Sequence, residues 1–173
     1  KFTIIGGHPS EIESYKKKWE NLNLENVNFL GFKNPKFIPK YLKMSDLLIL
    51  PSTAKTKKSS LYTSAMKLFE YLGAGKAIIA SDIPSVREVL KHAETGYLIK
   101  PDDHKELAIS IDKVLKDNDL KTLLENNAKK LSMKYSWVER TKNMLEKVPR
   151  PPKTEKQLVF EQDKKEENLL DES

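Results

Sequence analysis

Apolar residues fall along this chain in two rhythms. Short apolar runs at residues 1–5 (KFTII), 27–30, 46–50 (DLLIL), 76–80 (KAIIA) and 96–99 (GYLI) read as strands. Between them, apolar residues recur every three or four positions, the spacing of a helix with one buried face. Residues 11–22 carry Ile12, Tyr15, Trp19 and Leu22 on such a face, with Ser10 as N-cap and Glu13 completing a capping box. A short helix turns Phe37, Ile38, Tyr41 and Leu42 inward. The stretch 67–90 (KLFEYLGAGKAIIASDIPSVREVL) reads as helix, glycine turn, buried strand and second short helix. Met66, Phe69 and Leu72 make the first helix's apolar face, and Glu70 lies about 100° round from Phe69. Gly73 and Gly75 end that helix, while Asp82 and Pro84 mark the turn out of the strand.

Downstream, Pro101-Asp102-Asp103 starts a helix lined by Leu107, Ile111, Val114 and Leu115. Leu120, Leu123, Leu124 and Leu131 line the next. A last helix, capped by Ser136, carries Trp137, Thr141, Met144, Leu145 and Val148. Strands alternating with helices predict an α/β fold: a parallel sheet with helices on both faces. At Pro149 the composition changes. Residues 149–173 hold three prolines, and five basic against seven acidic residues leave them at −2. They read as a disordered charged tail or linker. The first 148 residues then form one domain carrying +8 of the chain's net +6.

Composition removes several functions. With no cysteine there is neither disulfide nor thiolate chemistry, which fits a reducing compartment. His8, His92 and His104 are scattered, so no metal site is expected. Gly6-Gly7 is not a G-x-G-x-x-G fingerprint, so no dinucleotide cofactor is expected. Basic and acidic residues intermingle, which argues against nucleic acid as a partner. A diffuse positive surface suits nucleoside diphosphates or anionic lipids. No apolar run is long enough to cross a membrane, and no signal peptide is visible.

Lys67-Leu68-Phe69-Glu70-Tyr71, Gly75-Lys76, Ala80-Ser81-Asp82-Ile83-Pro84 and Arg87-Glu88 together resemble the donor-binding motif of glycosyltransferase family 4. That family comprises retaining enzymes of the GT-B fold. FTIIGG, VNFLGF, DLLILPS, TGYLIKPDD and YSW extend the resemblance over residues 1–148. It implies a Rossmann-like doubly wound parallel sheet, the C-terminal, nucleotide-sugar-binding half of a GT-B glycosyltransferase. The family's acceptor-binding half is not in this sequence. Nor is the donor half's first strand and helix, whose loop carries an Arg and a Lys that hold the diphosphate. In the doubly wound order 3-2-1-4-5-6 that first strand is central. The strands at Lys1 and Asp46 would flank it, and they must either pair directly or leave two open edges. Residues 157–161 (QLVFE) are the tail's one strand-like run and a candidate to dock there.

The resemblance also assigns a donor site. The backbone of Ala65, Met66, Lys67 and Leu68 would meet the distal phosphate. Glu70 would accept both ribose hydroxyls, and Gly31, Phe32 and Lys33 would lie along the base. Gly6 and Gly7 belong to the strand-end loops where ligands of such sheets bind. Tyr62 stands where many relatives have the first Glu of an E-x7-E pair, so Tyr62, Thr63 and Ser64 offer hydroxyls to the sugar instead. Ala65 and Ala77 replace frequent prolines. Lys55, Lys57 and Lys58 read as solvated loop residues. No catalytic acid, base or nucleophile is assignable.

The implied function is to bind the donor in hexose transfer from a UDP-, GDP- or ADP-sugar to a glycan or lipid acceptor, without a metal. The implied setting is cytoplasmic, peripheral to the inner face of the membrane. The chain alone is expected to be inactive and to need an acceptor-domain partner. The other reading is a non-catalytic scaffold or one subunit of a split enzyme.

Overall fold

The computed structural model describes residues 1–20, 22, 24–56 and 66–148. The expectations for Tyr62, Thr63, Ser64 and Ala65, and for residues 149–173 with the 157–161 run, lie outside them. The chain divides into two compact units, Lys1–Tyr135 and Ser136–Ser173.

The first unit begins with β1 (Phe2–Ile5), α1 (Pro9–Glu20) and β2 (Val27–Gly31). A 3-10 turn at Pro35–Phe37 leads into α2 (Ile38–Met44) and β3 (Leu48–Leu50). Then come α3 (Met66–Ala74), β4 (Ile78–Ser81), α4 (Pro84–Arg87), β5 (Tyr97–Ile99), α5 (His104–Lys116) and α6 (Asn118–Lys134). All strand pairing is parallel, in two sheets: β1 with β2, and β3-β4-β5. The strands at Lys1 and Asp46 therefore do not pair with each other. Among the described residues β1 and β3 each keep one open edge.

The core belongs to the three-stranded sheet. All of β4 is buried, and alternation sends its side chains to opposite faces. Ile78 and Ala80 join Leu48, Leu50, Leu68, Leu72, Val86 and Leu90 on the face covered by α3 and α4. Ala77 and Ile79 join Ile99, Val114 and Leu124 on the face covered by α5 and α6. Burying one such Ile or Leu stabilises the fold by about 1.5–3 kcal/mol.

Several local expectations shift. α1 starts two residues early: the His8 carbonyl accepts the Glu11 and Ile12 N–H groups, and the Glu11 carboxylate accepts the His8 N–H at 3.2 Å. The cap is thus His8, with Glu11 as its reciprocal partner, not Ser10 with Glu13. Pro9 favours this start, because its fixed φ suits the first helical position. Tyr15 and Leu22 are exposed, as is Phe37, although all were expected inward. So are Leu115 and Leu123, at the rims of α5 and α6. In α3 the fully buried pair is Leu68 and Leu72, while Met66 is 73% exposed. Gly73 lies inside α3. Gly75 alone makes the left-handed exit, with φ 67° and its N–H donating to Leu72 O at 3.0 Å.

The second unit contributes α7 (Trp137–Lys147), whose Ser136 hydroxyl accepts the Glu139 N–H at 3.2 Å as expected of a cap. Trp137, Met144, Leu145 and Val148 are all exposed rather than buried. No described helix is long and apolar enough to cross a membrane.

Candidate functional site

The rotation of α3 about its axis decides what the sheet's carboxyl edge offers. Leu68 and Leu72, one turn apart, fix the inward face. Tyr71 reaches sideways, its hydroxyl donating to Ile49 O on β3 at 3.5 Å. Burial, and secondarily the Glu70 carboxylate, push the Tyr71 hydroxyl above the usual phenol range. Phe69 meets the Tyr135 ring at the end of α6, centroids 5.1 Å apart. With these three directions used, Met66, Lys67, Glu70 and Gly73 face outward.

Glu70 has no hydrogen-bond or ion-pair partner among the described residues. The ion pairs there are Lys17–Glu13, Arg87–Asp82, Lys91–Glu94, Lys116–Asp112 and Lys142–Glu139. A carboxylate held out on the exposed face of a helix is a ready double acceptor. The helix also runs back from the carboxyl edge, so its first N–H groups (Met66, Lys67, Leu68) and its dipole point toward that edge.

The β1–α1–β2 unit has a carboxyl end of its own, in the separate two-stranded sheet. Gly6 (φ 104°), Gly7 (φ 89°) and Gly31 (φ 65°) are all left-handed, and the Gly6 N–H donates to Gly31 O at 2.8 Å. The two strand ends are tied together there. A Cβ on Gly7 would sit 3.2 Å from Ile12 Cγ1, so α1 packs against bare backbone at this point. Phe32, just beyond, is 79% exposed, and Lys33 is half-buried.

Gly6, Gly7 and Gly31 thus share one loop pair, with Phe32 and Lys33 following directly. Met66, Lys67 and Glu70 share the outward face of α3, whereas Leu68 turns its side chain into the core and offers only backbone. Two surface hollows lie elsewhere. One is at the α5–α6 turn (Lys113, Lys116, Asp117, Asp119), the other between α1 and the start of β2 (Trp19, Phe29, Leu24). No group of three or more His, Asp or Glu side chains converges among the described residues. His92 is structural, its Nδ1 accepting the Leu98 N–H at 3.1 Å. Asp82 and Arg87 form a two-pronged pair (Nη2 to Oδ2, 2.7 Å), which holds the Asp82 carboxyl below its ordinary range. The sequence singles out Asp82 for the turn out of β4 and both residues for their place in the motif, and does not announce the pair.

The same architecture occurs in solved glycosyltransferases. Anabaena HepE, in a structure with UDP, superposes with a TM-score of 0.70 at 24% identity, over 84% of this chain and 40% of that one. The C-terminal domain of a group 1 glycosyl transferase, LpcC, from Francisella tularensis gives 0.62 at 21%, over 75% and 66%. These likenesses show a Rossmann-like GT-B fold. Among curated proteins, a Methanocaldococcus jannaschii glycosyltransferase is 30% identical over 112 residues, 64% of this chain and 27% of its own length. The putative teichuronic acid biosynthesis glycosyltransferase TuaH of Bacillus subtilis is 33% identical over 109 residues, 61% and 26%. The chain therefore spans about a quarter of the length of these relatives. The family model of the glycosyl transferases group 1 matches residues 1–131, and with that match on this fold the chain belongs to the glycosyl transferases group 1 family.

Proposed function

We propose that the chain is the nucleotide-sugar-binding part of a retaining glycosyltransferase of family 4. Its reaction would move a hexose from a nucleoside-diphosphate sugar to a glycan or lipid acceptor. The observation that carries this reading is Glu70, exposed and without a partner among the described residues, one turn into a helix whose N-terminus faces the carboxyl edge.

In this arrangement the N–H groups of Met66, Lys67 and Leu68 bind the distal phosphate, and the helix dipole favours its charge. Glu70 accepts the two ribose hydroxyls. Gly31, Phe32 and Lys33 lie along the base, with Phe32 offering an open ring face for stacking. Gly6 and Gly7 admit the ligand close to backbone. Hydroxyls of Tyr62, Thr63 and Ser64 complete the sugar contacts. The chemistry is electrostatic: holding the donor and stabilising the departing diphosphate. It needs no metal on this chain. HepE, whose structures include complexes with UDP-glucose and with UDP, makes the same kind of ligand a reasonable first probe. The acceptor side comes from the remaining length that the relatives have, so this chain alone binds donor without turnover. A cytoplasmic place against the inner membrane face fits the +8 charge of the first 148 residues of a +6 chain.

A second reading rests on the edges of β1 and β3 that are open among the described residues: one subunit of a split enzyme, with a partner chain supplying a further strand and the acceptor half.

Equilibrium titration with UDP, GDP and ADP tests the first reading. One nucleotide should bind saturably, and Glu70→Ala should weaken it about 10- to 150-fold, the equivalent of about 1.5–3 kcal/mol for a lost charged hydrogen-bond partner. Equal affinity in the variant would overturn the role given to Glu70.

A further inference from the structure

Asp102 is one of two described residues other than glycine in the left-handed region, at φ 62°. A residue with a Cβ is disfavoured there, although Asp tolerates it better than most. Nothing local requires Asp102's carboxylate. The cap of α5 is made by Asp103, which accepts the Lys105 N–H at 3.1 Å and the Glu106 N–H at 2.9 Å. The same turn is closed from the other side by Glu106, which accepts the Lys100 N–H at 3.0 Å.

Asp102 instead reaches 48 residues back along the chain. Its Oδ2 accepts the Ala54 N–H at 3.0 Å. The Thr53 hydroxyl, the Ala54 N–H and, more weakly, the Lys55 charge hold the carboxyl below its ordinary range. The segment it grips follows β3 and is braced locally by Thr53 Oγ1 accepting the Lys55 N–H at 3.2 Å. β5 and β3 lie on either side of β4, so the contact spans the carboxyl end of the central strand.

We infer that Asp102 is a positioning residue for the donor site. It straps residues 53–56, the described start of the β3–α3 connection, across the end of β4. The left-handed backbone aims its carboxylate back toward β3. Because the connection leads to the helix whose N-terminus is assigned to the diphosphate, the strap sets how the donor is received. This step rests on the donor-site reading above.

The experiment uses the full chain as wild type, Asp102→Gly and Asp102→Asn, with three readouts: amide exchange at Ala54, melting temperature, and affinity for whichever of UDP, GDP or ADP the wild type binds. Glycine suits the left-handed backbone but lacks the carboxylate. Asp102→Gly should therefore melt no lower than wild type, while its Ala54 amide exchanges about tenfold faster or more. Its nucleotide affinity should fall about 3- to 10-fold, the loss of part of one hydrogen bond's worth of ordering. Asp102→Asn keeps one acceptor and should restore both to within about twofold of wild type. An Ala54 amide that exchanges equally in wild type and Asp102→Gly overturns the strap. A faster amide with unchanged affinity overturns its role in donor binding. A faster amide in a protein whose wild type binds none of the three nucleotides supports the strap and counts against the donor-site reading.

Discussion

Two β–α–β units follow one another along this chain and are folded to opposite standards. In β3–α3–β4 every residue of β4 is buried, and Leu68, Leu72, Ile78 and Ile79 are at or below 1% exposure. In β1–α1–β2 no described residue is fully buried; Phe2 is 43% and Ile4 41% exposed. The sequences do not announce this. FTII and IIAS are both short and largely apolar. The difference is in what surrounds them. β4 has a strand on each side and helices on both faces. Among the described residues β1 has one strand beside it, and α1 packs over that neighbour, where Trp19 stacks on Phe29 at 4.4 Å between centroids. Burial of a parallel strand is conferred by its neighbours. The well-packed unit aims Glu70, and the loosely covered one carries the left-handed glycines at the strand ends.

The contrast can be broken by mutation. Ile79→Ala should cost about 2–5 kcal/mol in urea unfolding, since it leaves a cavity between β4 and α5. Ile4→Ala, on the open edge, should cost about 1 kcal/mol or less. Similar losses at both sites would mean that β1 is as well covered as β4. A smaller effect sharpens the same point at a turn. Gly75→Ala forces a Cβ into a left-handed exit at φ 67°, with 3.6 Å of room to Lys129 Cβ. The loss should be about 1–2 kcal/mol and purely conformational. A melting curve unchanged from wild type would deny that Gly75 ends α3.

The smallest effect concerns acid. Asp82 is held below the ordinary carboxyl range chiefly by Arg87, and Asp103 chiefly by the Glu106 N–H. Groups with depressed folded values contribute stability that is whole above the unfolded value, near 3.9, and lost as pH falls through the folded one. Stability should thus stay level on their account from pH 7 to about pH 5 and decline below about pH 4. In Asp103→Ala that decline should be shallower. An acid limb of equal slope in the variant would remove Asp103 from the account.

Much of this was legible along the chain. The five strands, the Ser136 cap, a helix start at Pro101-Asp102-Asp103, and Glu70 lying off the apolar face of α3 follow from spacing and residue type. What was not legible depends on contacts distant in sequence. Met66 shares helical spacing with Phe69 and Leu72, yet the packing of α3 on α6 and Tyr71's reach to β3 turn Met66 outward. His8 displaces Ser10 as cap because Pro9 moves the helix start. Phe2 and Ile4 look like core residues and are not, since among the described residues β1 has only β2 beside it. Asp102 reads as part of a helix start, and only the fold brings it to Ala54.

Mapping of UDP, GDP and ADP onto the isotope-labelled chain by amide chemical shifts tests the central claim most directly. The account predicts that one nucleotide shifts Met66, Lys67, Leu68 and Glu70 together with Gly6, Gly7, Gly31, Phe32 and Lys33. A folded chain whose shifts stay fixed with all three, or move instead around Lys113 and Asp119 at the α5–α6 turn, would contradict it.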